Sequence, residues 1–199
     1  GRQYTFDGFE VTKFNSKAFD AAKKFAENAD SKPLALFGGT ATGKTHLLYA
    51  VKNMIEQNEP KLTVILTTAA EMRTSLVNTL QNDGTAEQFR EKYMQADVLL
   101  VDDIQELARK KAIQNELILL FNWFYESGKR FMMTSSKKEA NCGMRSRLVI
   151  RSFWGDFAVI SKAYIHAQFP SDHGRTEIRN TLLENGKYLI DDFELDSFK

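Results

Sequence analysis

The sequence predicts an α/β fold in which helices flank a parallel sheet, and three observations support this. A short apolar run, residues 34–37, leads into a glycine-rich turn and then into a helical pattern. Apolar strand-like runs then alternate with helical segments along the chain, as in proteins whose parallel strands are joined by right-handed crossovers. One of these runs, residues 98–101, ends in two aspartates, and ligands bind at such strand ends in open α/β sheets.

Size and composition exclude several classes of protein. The chain has 199 residues, of which 43% are hydrophobic, so it can bury a sizeable core. Its net charge of +1 leaves only local patches for nucleic-acid binding. The single cysteine, Cys142, excludes a disulfide framework and fits a reducing cytosol, so we expect a cytoplasmic protein. No apolar run approaches the ~20 residues that span a bilayer, and we see no signal peptide.

The first elements surround the glycine-rich turn. We expect the aromatic residues 4–11 to form an extended arm that packs on the domain. A helix is predicted near residues 17–29, because Ala and Phe recur at helical spacing, with Asn15 or Ser16 as its cap. The first strand at 34–37, the turn and a helix to about Gln57 follow.

The middle of the chain contains two helices between consecutive strands, which is more than one crossover requires. The β-branched run at 62–68 predicts a buried parallel strand. Helices are predicted from Ala69 to Leu80 and over 85–93, with a break at Asn82-Asp83-Gly84 and a threonine cap on the second. The next strand is the run before the two aspartates.

The last part continues the alternation. Residues 112–127 predict a helix whose wide apolar stripe indicates burial on more than one side. Strands are predicted at 130–136 and 157–160, and a helix begins near Pro170, the only good candidate for a domain boundary.

The glycine-rich turn has the spacing GxxxxGK[ST]. It consists of Gly38, Gly39, Thr40, Ala41, Thr42, Gly43, Lys44 and Thr45. Glycines at this spacing let several backbone N–H groups point at one phosphate, and the following helix directs its positive dipole end to the same place. Lys44 can reach the β- and γ-phosphates, and the Thr45 hydroxyl can hold Mg²⁺. The alternative is a glycine loop that caps an ordinary helix.

The two aspartates are the second chemical signal. Beside such a loop, Asp102 is expected to hold Mg²⁺ with Thr45, and Asp103 to orient or deprotonate the attacking water. Alternatively, the pair begins a surface loop. The next strand ends in Thr134, Ser135 and Ser136, where a hydroxyl can sense a γ-phosphate. The alternative there is a solvated strand end.

With these motifs in place, most of the chain resembles the AAA+ ATPase domain family of the bacterial replication initiator DnaA. Four stretches carry the resemblance: residues 4–9, the loop with its His46-Leu47-Leu48 continuation, the Walker B string from Val98 to Gln105, and residues 147–155. The loop alone indicates only a P-loop protein. The Asp-Asp-Ile-Gln string and the arginine-containing segment are far more specific.

The resemblance implies a P-loop NTPase fold of AAA+ type that binds ATP or ADP with Mg²⁺. It implies a nucleotide-binding core at residues 1–168, with an initiator-specific helical insertion at about 69–93, and the start of a helical lid at 169–199. It places an arginine finger at Arg151, acting in trans on a neighbouring subunit, with Arg147 beside it. Lys44 and Asp103 complete the catalytic set, and His46 and Ser136 join the nucleotide-binding residues. Spacing alone favours ordinary surface residues for these arginines.

The implied function is ATP-dependent self-assembly on origin or single-stranded DNA, with slow hydrolysis as a switch. Arg73, Arg90 and Lys92 on the insertion are candidates to neutralise DNA phosphates, although each could also be an ordinary solvated helix charge. A replicative helicase or other replication protein is a further possible partner. The alternatives are a DnaC-like helicase loader or regulatory adaptor, a stand-alone P-loop kinase, and a nucleotide-gated binding module without hydrolysis.

The chain departs from the family pattern at several positions. Ser136 stands where a sensor Asp is usual, Glu106 replaces an apolar residue, and Arg109 replaces a glycine. Residues 137–143 lack the usual proline. The sensor 2 arginine of the lid and the DNA-binding helix-turn-helix are not seen, so we expect either an excised core of a longer protein or a shortened relative.

Overall fold

A five-stranded parallel sheet forms the centre of the protein. The computed structural model describes residues 4–13, 15–37, 43–107, 109–135 and 156–159. The strands lie in the order β2-β3-β4-β1-β5. They are β1 (Leu34–Phe37), β2 (Val64–Thr68), β3 (Val98–Asp102), β4 (Arg130–Ser135) and β5 (Asp156–Val159). The predicted α/β fold with a parallel sheet is therefore confirmed.

Helices cover both faces of this sheet. They are α1 (Ser16–Glu27), α2 (Lys44–Asn58), α3 (Ala69–Gln81), α4 (Ala86–Met94) and α5 (Lys111–Glu126), and a 3₁₀ turn spans Ile104–Leu107. Val98 and Leu100 of β3 pack with α1 and α2, whereas Leu99 and Val101 pack with α3, α4 and α5. Because β3 is buried on both faces, its sequence is continuously apolar rather than alternating. None of the helices in the described residues is long and apolar enough to cross a bilayer.

The two insertion helices begin with their own local signals. Thr68 Oγ1 accepts from the Glu71 N–H at 3.0 Å, and Glu71 Oε2 accepts from the Thr68 N–H at 3.2 Å. Thr85 and Gln88 make the same reciprocal pair at the start of α4. These capping boxes satisfy backbone donors that the first turn of a helix leaves free. The predicted threonine cap of α4 is confirmed.

The N-terminal arm packs on the domain as expected, but it is folded into a turn rather than extended. The Phe9 N–H donates to the Phe6 carbonyl at 3.2 Å, and the Gly8 N–H donates to Thr5 Oγ1 at 3.1 Å. Asn15 stands at the cap position of α1 but does not cap it. Its side chain instead accepts from the Thr12 N–H and donates to the Glu10 carbonyl, which holds the end of the arm.

Helix α5 is buried on one side only, contrary to the sequence expectation. Leu117, Leu120 and Phe124 are fully enclosed, but Leu119 is 47% exposed and Tyr125 is 45% exposed. The apolar stripe is wide because it includes these two residues, which lie beyond the face that meets the sheet.

A single buried arginine joins the ends of two helices to the sheet. Arg130, the first residue of β4, is 2% exposed. Its guanidinium donates to the carbonyls of Phe25 and Ala26 at the end of α1, and to Glu59 Oε2 at 2.8 Å just beyond α2. The last carbonyls of a helix carry partial negative charge, so a cation there is favourable.

Replacing this arginine should destabilise the fold. We expect Arg130→Met to lower the free energy of unfolding by about 3 kcal/mol, because buried acceptors and one carboxylate lose their donor. Glu59→Gln is the matched control and should cost less than about 1 kcal/mol, since Glu59 is 34% exposed. Urea unfolding of both variants measures the difference, and equal losses would contradict the central role of Arg130.

Candidate functional site

The candidate site lies at the edge of the sheet where strands β1, β3 and β4 end and helix α2 begins. Strand β4 is between β1 and β3, with Thr134 opposite Leu36 and Met133 opposite Val101. Met132 and Leu100 belong to the core beneath α1 and α2. Thr134 lies two residues after Met132 on β4, and Asp102 lies two residues after Leu100 on β3. Since side chains alternate along a strand, Asp102 and Thr134 face α2 together.

The Asp102 carboxylate is bonded from two sides. It is 4% exposed, and its Oδ2 accepts from Thr45 Oγ1 at 2.8 Å across 57 residues of sequence. Its Oδ1 accepts from the Thr134 hydroxyl. The structure therefore brings together the two side chains that the sequence proposes as metal ligands. Thr45 itself is exposed, so this pair is open to a ligand from solvent.

The chemistry of this pair fits Mg²⁺. A hydroxyl and a carboxylate are hard oxygen donors, and Mg²⁺ usually takes only one or two of its ligands from protein and the rest from phosphates and water. Among the residues that the structure describes, no group of three or more His, Cys, Asp and Glu side chains is placed to hold a metal without such help.

Lys44 begins α2 directly beside the acidic pair. It is 5% exposed, and this burial lowers the pKa of its ammonium group, while the charges of Asp103 and Asp102 act in the opposite direction. A buried ammonium that has lost its hydration binds an anion favourably. Its position at a helix N-terminus adds the positive end of the helix dipole.

Asp103 has an unusual backbone. Its φ is +59°, in the left-handed region that few non-glycine residues occupy. Its N–H donates to Thr134 Oγ1 at 3.0 Å, and its Oδ1 accepts from Gln105 Nε2 at 3.0 Å. Gln105 is only 4% exposed. The two neighbouring carboxylates are thus held by different partners.

The N-terminal arm covers the beginning of α2. Gly43 has φ +95°, and a Cβ atom there would lie 2.7 Å from Cε2 of Phe9, so both the backbone and the close ring favour glycine. His46 Nε2 lies 2.8 Å from the Thr5 carbonyl, and its ring has edge contacts with Tyr4 and Phe9. The imidazole proposed to bind nucleotide is therefore held by the arm.

Several predicted site residues lie outside the described residues, so their roles stay predictions. They are Gly38, Gly39, Thr40, Ala41, Thr42, Ser136, Arg147 and Arg151. The sequence offers Thr134 only as one of three hydroxyl residues near a γ-phosphate, and it does not predict the bonds that Thr134 and Gln105 make to the aspartates. Their only signals in the sequence are a hydroxyl at a strand end and the Asp-Asp-Ile-Gln string. The alternative interpretation of Thr134 and Ser135 as a solvated strand end is wrong, because both residues are at most 1% exposed.

The insertion helices present an open groove at the surface. Its volume is about 470 Å³, and it is lined by α3 from Ala70 to Thr79 together with Lys92 of α4. Arg73 and Lys92 are exposed, and Lys92 Nζ lies 3.4 Å from Ser75 Oγ. Arg90 differs from both, because it forms an ion pair of 2.5 Å with Glu116 on α5.

Comparison with known proteins gives a consistent result. The family model described as the bacterial DnaA ATPase domain matches residues 1–158. The chromosomal replication initiator protein DnaA of Thermotoga petrophila is 35% identical over 184 residues, which is 91% of this chain. That match covers 40% of the relative, so the chain spans less than half the length of such proteins.

Solved structures agree with the sequence matches. Domain III of Thermotoga maritima DnaA has a TM-score of 0.76 and 32% identity, covering 99% of this chain and 80% of that one. A replication initiator DnaA bound to AMPPCP and single-stranded DNA has a TM-score of 0.73 and 28% identity, covering 99% of this chain and 59% of that one. A DnaC helicase loader is similar in fold alone. Its TM-score is 0.62 and its identity 17%, and the match covers 95% of this chain and 98% of that one. The chain belongs to the family of bacterial DnaA ATPase domains.

Proposed function

We propose that this chain is the ATP-binding domain of a chromosomal replication initiator, which assembles on DNA in its ATP-bound state and hydrolyses ATP slowly as a switch. The observation that carries the proposal is the contact of Thr45 with Asp102 beside the buried Lys44. A related initiator has been solved with AMPPCP and single-stranded DNA, which supports both ligands. A helicase or another replication protein as a further partner stays a prediction.

The described residues suggest how ATP would be bound and hydrolysed. Lys44 would donate to the β- and γ-phosphate oxygens, and Thr45 and Asp102 would hold Mg²⁺ next to them. When bound, the ion neutralises charge on the phosphate oxygens. Asp103, oriented by Gln105, would accept a proton from the water that attacks the γ-phosphorus. The bond from that phosphorus to the bridging oxygen then breaks, and ADP and phosphate leave.

Lys44→Ala should weaken ATP binding by roughly 10- to 100-fold, because hydrogen bonds to charged groups contribute about 1.5–3 kcal/mol. Titration with a fluorescent ATP analogue measures the affinity. Without nucleotide the variant should be at least as stable as the parent protein, since Lys44 loses its hydration on folding.

Lys52→Ala is the matched control for this test. Lys52 lies on the same helix but pairs at the surface with Glu56, at 2.7 Å, and should not affect nucleotide binding. Unchanged ATP affinity in Lys44→Ala would refute the proposed nucleotide site.

Arg151 is proposed to act on ATP bound by a neighbouring subunit. Arg151→Ala should then lower the hydrolysis rate of the assembled protein by about 10³-fold or more. Arg145→Ala, in the same stretch of sequence, is the control. Mixing Arg151→Ala with Lys44→Ala should restore part of the activity, because the second variant still supplies Arg151 to a neighbour that binds ATP. If the mixture is as inactive as its components, the finger does not act in trans.

The insertion helices are proposed to contact single-stranded DNA through the groove between α3 and α4. Ser75 and Asn78 on its α3 wall can donate to phosphate oxygens, and Lys92 supplies a positive charge at its edge. The hydroxyls of Thr74 and Thr79 already donate to α3 carbonyls, and Glu71 adds one negative charge to the lining. Arg73 is exposed on the same helix. Arg90 is the weakest of the three candidates, because Glu116 already neutralises it.

Arg73→Ala and Lys92→Ala should each weaken binding to oligo-dT and flatten the salt dependence of log K by about 0.7, the contribution of one phosphate in a single strand. Arg90→Ala is the control and should change the melting temperature more than the DNA affinity. Fluorescence anisotropy at several salt concentrations, with ATP present, measures these slopes. Equal slopes in all three variants and the parent would place the DNA elsewhere.

A further inference from the structure

We propose that Thr134 is a positioning residue whose hydroxyl holds both acidic residues of the site, Asp102 by its carboxylate and Asp103 by its backbone N–H. The proposal rests on the proposed ATPase function. It adds a residue that links the metal-binding carboxylate to the carboxylate that handles the attacking water.

The position of Thr134 makes this link possible. It lies on β4, the strand between β1, which leads to the phosphate-binding loop, and β3, which carries the aspartates. It is 0% exposed. A threonine hydroxyl carries one donor hydrogen and two lone pairs that accept, and both functions are engaged here. The hydrogen goes to Asp102 Oδ1, and the oxygen accepts from the Asp103 N–H at 3.0 Å.

The first bond fixes the rotation of the metal-binding carboxylate. Asp102 Oδ1 is occupied by Thr134, so Oδ2 is the oxygen that meets Thr45. Without the hydroxyl, nothing else among the described contacts holds Oδ1 in this orientation. Only the bond from Thr45 to Oδ2 would then restrain the carboxylate, whose last torsion is intrinsically broad.

The second bond supports the strained backbone of Asp103. A φ of +59° in a residue other than glycine persists only where the surroundings hold it. The N–H bond to Thr134 fixes the backbone, and the Gln105 bond fixes the carboxylate. One hydroxyl therefore holds the Asp102 carboxylate and the backbone from which the Asp103 side chain projects.

Packing alone does not account for a hydroxyl at this position. Valine has the same shape as threonine and would fill the same space without the cost of burying a polar group. A buried hydroxyl is retained at no loss only when it is hydrogen-bonded, and here both partners belong to the acidic pair.

Three variants test the proposal: Thr134→Val, which keeps the shape, Thr134→Ser, which keeps the hydroxyl, and Thr67→Val as a control. Thr67 is a buried threonine near the end of β2, 7% exposed, whose hydroxyl bonds Glu71 and not the aspartates. The readouts are the affinity for a fluorescent ATP analogue with Mg²⁺ and with EDTA, kcat and KM for ATP, and hydrogen exchange at the Asp103 amide.

In Thr134→Val, the factor by which Mg²⁺ raises the affinity for ATP should fall roughly tenfold or more. The affinity measured in EDTA should change little. Its kcat should fall by a larger factor than its KM rises, and the Asp103 amide should exchange faster even without nucleotide. Thr134→Ser should restore all three readouts, and Thr67→Val should leave them at parental values. If Thr134→Val fails to fold, Thr134→Ala replaces it with the same expected results.

Parental Mg²⁺ dependence, kcat and amide protection in Thr134→Val would overturn the proposal. So would equal losses in Thr67→Val, which would indicate general damage to the sheet. Failure of the proposed function looks different, because the parent protein itself would then not bind ATP. Exchange at Asp103 would still test the positioning role in that case, with unchanged protection refuting it.

Discussion

The arrangement of the site depends on the two hydrogen bonds of the Asp102 carboxylate, one from Thr45 on α2 and one from Thr134 on β4. They join β3, which carries the proposed metal ligand, its neighbour β4 and the helix that begins at the phosphate-binding loop. All three meet because parallel strands end at the same edge of the sheet, and because β4 lies between β3 and β1. A different strand order would leave the same motifs far apart.

Much of this fold could be predicted because its signals are local. The strand bounds follow from short apolar runs, the loop from the spacing of Gly43, Lys44 and Thr45, and the start of the second insertion helix from its threonine cap. The Mg²⁺ role of Asp102 stays a prediction, made because a carboxylate at the end of a buried strand downstream of a phosphate-binding loop is typical of such a ligand. Its contact with Thr45 is compatible with that role.

The rest depends on pairings over long sequence distances that no local pattern encodes. Thr134 could be placed at a strand end, but its bonds to Asp102 and Asp103 could not be predicted until the register was known. Arg130 resembles an ordinary charge before a strand, yet it is buried beneath two helix ends. The apolar stripe of α5 was misleading for the opposite reason, since composition does not show which apolar residues a neighbouring element covers.

The electrostatics of the site make the metal and the nucleotide interdependent. Lys44 contributes one positive charge, and Asp102 and Asp103 contribute two negative charges around it. A triphosphate alone would bring several more negative charges into a site with an excess of carboxylate, which the helix dipole offsets only in part. A divalent cation held between Asp102 and the phosphates would offset two of these negative charges. Binding of ATP and Mg²⁺ should therefore be cooperative, and any residue that fixes the Asp102 carboxylate contributes to nucleotide affinity without touching the nucleotide.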